Sequence, residues 1–191
     1  MIEIIPNWHP IFVHFTVALF SSSFILYVLA YWTAHTKWKS KIFASEFETV
    51  ARWCLWVAAL MTIATVSAGF YAYYTVKHDT ISHAVMTVHR NWALATAAAI
   101  FLMASWAVWR YVKHKGLTLS FIIALLIVQG LLLTTAWYGG ELVYRYGIGV
   151  MSLPQAEEIG HHHEPTLKNQ TNSSKKPMSN ANDHDKNKHP H

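Results

Sequence analysis

IFVHFTVALFSSSFILYVLAYWTA, residues 11 to 34, runs for 24 residues without an Asp, Glu, Lys or Arg. A helix rises about 1.5 Å per residue, and roughly 20 apolar residues cross a hydrocarbon core. The stretch is long enough to span lipid, and it sets the reading of everything after it. Three further runs have the same character, near 49–75, 85–112 and 117–138. In lipid each backbone polar group must be satisfied within its own segment unless a barrel closes, so these runs are expected as helices.

Composition points the same way. Hydrophobic residues make up 53% of the 191 and charged residues 13%, too little charge to cover a water-soluble body of this size. The expected architecture is an all-α integral membrane four-helix bundle, up-down-up-down, over 1–153. Membrane lipid is its first partner. From residue 154 the chain turns to Asn, Lys, Ser, His and Pro. Such a composition cannot offset ordering entropy, and 154–191 is expected to be a disordered tail. Only Glu3 carries charge before the first run; with no basic n-region, that run is read as retained in the mature protein. Cys54 is the single cysteine, which excludes a disulfide framework.

Charge sets an orientation. Lys37, Lys39, Lys41 and Arg52 flank one connection and Arg110, Lys113 and Lys115 another, while the opposite face has only Lys77, Arg90 and Arg145 nearby. The positive-inside rule makes the lysine-rich loops cytoplasmic and both termini periplasmic. The pI of 9.3 thus reflects orientation and tail, and no nucleic-acid partner is expected.

With that topology, His9, His14, His78, His83 and His89 gather on the outer side. Pro10 suits the first turn of a helix, which puts His14 about one turn in, roughly 6 Å. Asp79 or Ser82 is a plausible cap for the third helix, with His89 one to two turns beyond. First and third helices are diagonal in such a bundle. His14 and His89 are therefore expected at matched depth, able to bracket one haem b, with Arg90 as partner to a propionate. His9, at the threshold, reads as a cap or interfacial group. Ala93, Ala97 and Ala98 with Ser67, Ala68 and Gly69 leave space nearby. Filling both axial positions with histidine favours electron transfer, and the expected function is a small membrane cytochrome. It would pass one electron between a quinol or a periplasmic carrier and a respiratory complex, not catalyse a reaction.

Two other readings stay open. In one, the outer histidines, with His9, His78 and His83 as secondary ligands, handle a metal ion supplied by the tail. There HHHE (His161, His162, His163 and Glu164) and DHDKNKHPH at 183–191 are suited to divalent ions. In the other, the protein is a cofactor-free accessory subunit. Near the fourth helix, Glu141 and Arg145 are four apart and so positioned to pair on one helix face.

Three blocks, HPIFVHFTVAL at 9–19, HAVMTVHRNWALA at 83–95 and GGELVYRYGIGV at 139–150, resemble a bacterial membrane family known as domain of unknown function 2231. The resemblance covers about residues 9–150. It implies a four-helix domain in the bacterial inner membrane, without a settled activity. Thr16 stands where that family often has proline, which implies a straighter first helix.

Overall fold

The computed structural model describes residues 8–36, 41–76 and 80–148. It contains four helices: α1 (His9–His35), α2 (Lys41–Thr75), α3 (Thr80–Val112) and α4 (Leu119–Tyr144). All four are long and apolar enough to cross a membrane. Their outward faces are as apolar as their inward ones: Leu102, Leu126, Leu133 and Trp137 are all exposed. A surface of that kind is stable against lipid and not against water.

Neighbouring helices pack in the order α1–α2, α2–α3, α3–α4 and α4–α1, so α1 faces α3 across a diagonal. The closest pair is α1–α2. Small residues permit it, since Ala51, Ala58 and Ala59 of α2 are all buried and Ser23 Oγ donates to the Ala51 carbonyl at 2.7 Å. Close backbone approach through small residues is how helices adhere where apolar transfer supplies little.

Three helices are longer at their ends than the hydropathy suggests. α2 starts at Lys41, eight residues before the expected 49, because KIFASEFE is helical despite Glu46 and Glu48. α3 starts at Thr80, so Ser82 lies inside the helix and is not its cap. α4 continues from the expected end at 138 through Gly139 and Gly140 to Tyr144. α3 ends in a Schellman turn: His114 takes a left-handed φ of 52°, while its N–H bonds the Tyr111 carbonyl and the Lys115 N–H bonds that of Arg110.

The core shows an internal repeat. Each buried residue of α1 has a buried counterpart in α3 80 residues on: Thr16 and Thr96, Phe20 and Ile100, Ser23 and Met103, Tyr27 and Ala107, Ala30 and Arg110. Between α2 and α4 the spacing is 70: Ala51 and Phe121, Leu55 and Leu125, Ala58 and Val128, Ala59 and Gln129, Thr62 and Leu132. The bundle is thus two helical hairpins related by a pseudo-two-fold axis along the helices, a parallel repeat of the kind found in membrane proteins.

Candidate functional site at the histidine end

The repeat extends to the polar groups at one end. Thr16 and Thr65 hydroxyls bond each other at 2.8 Å, and their counterparts Thr96 and Thr135 do the same at 2.8 Å. Thr65 Oγ1 donates on to the Met61 carbonyl and Thr135 Oγ1 to that of Leu131, each at 2.9 Å. With those protons committed, the Thr16 and Thr96 hydroxyls are the donors within each pair. This polar layer is closed upon itself in both halves.

One helical turn or two beyond the threonines stand two imidazoles. His9 is seven residues before Thr16, and His89 seven before Thr96. Their ring centroids are 6.3 Å apart across the α1–α3 diagonal, with planes at 80°. His9 Nδ1 lies 2.9 Å from the Thr65 carbonyl. A carbonyl only accepts, so the proton is on Nδ1 and the lone pair is on Nε2. His89 Nδ1 is buried without a full hydrogen bond, the repeat-equivalent Thr135 carbonyl being the acceptor within reach.

Glycines of the other two helices seat the rings. A Cβ on Gly69 of α2 would lie 3.0 Å from His9 Cε1, and one on Gly139 of α4 would lie 3.1 Å from His89 Cε1. The two glycines are themselves repeat mates, each four residues after its threonine. Gly69→Ala and Gly139→Ala are each expected to destabilise the protein by about 1–3 kcal/mol, as overpacking does. Gly130→Ala, where a Cβ meets nothing within 4 Å, serves as control. Thermal unfolding in detergent measures all three, and equal midpoints would dispose of the seating role.

The expected pairing of His14 with His89 is not what the fold provides. His14 is exposed, and its Nδ1 turns back on the Pro10 carbonyl of its own helix. Five residues separate it from His9, about 140° further round the helix. Depth counted from helix starts misleads because α3 extends two turns beyond the level at which α1 begins: His9 is the first residue of its helix and His89 the tenth of its own.

The remaining candidates are dispersed. Arg90 is stacked on Tyr73, Cζ 5.0 Å from the ring centroid, and bonds Asn91 Oδ1 at 3.3 Å. His83 is exposed, with Nε2 3.3 Å from Tyr73 Oη. Glu141 and Arg145 form an ion pair of 2.8 Å along α4. Of the small residues, Ala97 is buried while Ala98 and Ser67 face outward. His78, His161, His162 and His163 lie outside the described residues. Among the described residues no three or more His, Cys, Asp or Glu gather to hold a metal ion.

Fold and site define an integral membrane four-helix bundle with a paired histidine at one end of its pseudo-two-fold axis. Residues 6–152 match the profile of the family described as "Predicted membrane protein (DUF2231)", and the chain belongs to that family. No curated protein and no solved structure matches it.

Proposed function

We propose that this is a small membrane haem protein carrying one electron, with His9 and His89 as axial ligands of a single haem b. The observation that carries the reading is the pair of imidazoles facing across the bundle diagonal at 6.3 Å. Two rings bound linearly to one metal, at about 2.0–2.1 Å per bond, have centroids roughly 6 Å apart. The site offers two nitrogen ligands, and a porphyrin iron asks the protein for two, the macrocycle supplying the rest.

Gly69 of α2 and Gly139 of α4 lie against the two rings and keep side chains away from them. The Thr65 carbonyl orients the His9 ring, the usual role of a carbonyl behind a ligating imidazole. When bound, the haem supplies one-electron redox chemistry. Arg90 is the propionate partner in this reading, released from Tyr73. By the positive-inside rule the lysine-rich connections support a periplasmic side of a bacterial inner membrane for the histidines, where a quinol or a periplasmic carrier would reach them.

The metal-handling alternative is weaker on one point. Closed structural zinc sites use four protein ligands and catalytic ones three, and the described residues bring only two together. The test is the optical spectrum of the full chain, purified in detergent after expression with haem available. A sharp reduced-minus-oxidised band in the visible α region is expected. Colourless protein that also fails to take up added haemin would overturn the proposal.

A further inference from the structure

At the other end of the bundle the repeat is broken by charge. Arg110 occupies the position equivalent to Ala30, Arg52 that of Ile122, and Glu48 that of Thr118. Arg110 is only 4% exposed. Its one anionic neighbour among the described residues, Glu48 Oε1, is 3.6 Å from Nη2, longer than the roughly 2.7–2.9 Å of a charge-assisted hydrogen bond. Arg110 Nε and Nη2 and Arg52 Nε are buried without hydrogen-bond partners. The faces of the two guanidiniums rest on rings: Arg110 Cζ is 4.4 Å from the Phe121 centroid and Arg52 Cζ 4.2 Å from that of Tyr111. Aromatic faces attract cations but accept few hydrogen bonds, so the N–H edges are left to point elsewhere.

Arg52 and Arg110 are among the residues that line a cleft of about 230 Å³ bordered by α1, α2 and α3, whose lining also includes Tyr27, Glu48, His114 and Lys115. The Schellman turn at His114 brings Lys115 back to it. Three cations meet one carboxylate there, and the cleft is cationic with His114 neutral. Leaving a buried guanidinium without acceptors is costly, whereas an oxyanion accepts from two of its N–H groups at once.

We infer that this cleft is a binding site for a phosphate-type oxyanion, held by Arg110, Arg52 and Lys115. Two sources carry that chemistry: the headgroup of an anionic phospholipid, and free phosphate. Basic pockets between membrane helices at the lysine-rich end are suited to the former. The site is independent of the histidine end, and each can fail alone.

The experiment is native mass spectrometry and binding titration of the full chain in mild detergent. The probes are phosphatidylglycerol, phosphatidylcholine and inorganic phosphate. Retention of phosphatidylglycerol but not phosphatidylcholine supports a lipid headgroup; binding of inorganic phosphate supports the free anion. In either case Arg52→Gln and Lys115→Gln are expected to weaken binding about tenfold or more, as loss of a charge-assisted contact does. Lys113→Gln, exposed and outside the cleft lining, should leave it unchanged. These variants keep the test independent of Arg110→Gln, whose buried position puts folding at risk. Failure to bind either probe, or equal weakening by Lys113→Gln, would overturn the inference.

Discussion

His9→Ala and His89→Ala are each expected to abolish the visible haem band, while His14→Ala keeps it. The discrimination comes from placement, since all three residues are histidines near the same end. His9 and His89 face one another over glycines on the bundle axis, and His14 is exposed with its Nδ1 on its own helix. If these two imidazoles hold a haem as proposed, removing either would leave the iron without one of its two protein ligands and the band would be lost. Far-ultraviolet circular dichroism should remain helical in all three variants, which separates ligand loss from unfolding. A band lost in His14→Ala but kept in His9→Ala would reverse the assignment.

A second-sphere effect follows from the same geometry. The His9 ring is oriented by a main-chain carbonyl, which no side-chain substitution removes. The orientation of the ring therefore does not depend on any one side chain. Gly69 is the exception, because a methyl group there pushes on the His9 ring directly, as one at Gly139 does on that of His89.

The four membrane helices were legible in the sequence because lipid demands long uninterrupted apolar runs, and such runs stand out. Helix ends were not. The KIFASEFE segment carries charges that hydropathy reads as loop, yet Glu48 serves the arginine end of the bundle. Gly139 and Gly140 look like a stop, yet Gly139 continues α4 under His89. The diagonal principle led to α1 and α3, but the rings that meet across it are those of His9 and His89, while His14 bonds within its own helix. Counting depth from helix starts assumes a common level that α1 and α3 do not share.

The signal that would have corrected this is the repeat. Histidine with threonine seven residues later occurs at 9 and 16 and at 89 and 96; threonine with glycine four later occurs at 65 and 69 and at 135 and 139. Between these markers the paired helices share little identity, because apolar side chains facing lipid substitute freely. Besides the histidines, threonines and glycines at the site, Ala18 and Ala98, Val28 and Val108, Tyr31 and Tyr111, Leu55 and Leu125, and Tyr74 and Tyr144 are also the same in both halves.

Phe121→Ala is expected to cost about 3–5 kcal/mol, the range for emptying a buried aromatic site. Phe121 is fully buried and joins three groups: Tyr27 and Trp106 meet it edge-to-face at 5.1 and 5.2 Å, and the Arg110 guanidinium covers it at 4.4 Å. In lipid little of that stability is apolar transfer, since hydrocarbon surrounds the helices in any case; it is packing and cation–π attraction. The repeat mate of Phe121 is Ala51, yet alanine at 121 does not recreate the close α1–α2 contact. There Ser23 reaches the Ala51 carbonyl, whereas the residue equivalent to Ser23 in α3 is Met103, which has no hydroxyl to donate. The cavity stays open and Arg110 loses the face it rests on. The midpoint of thermal unfolding in detergent should fall by roughly 10 °C. Leu133→Ala, on the exposed face of the same helix, should shift it little. If the two variants unfold together, the Phe121 cluster does not hold the hairpins to one another, and the arginine end must be organised by its charges alone.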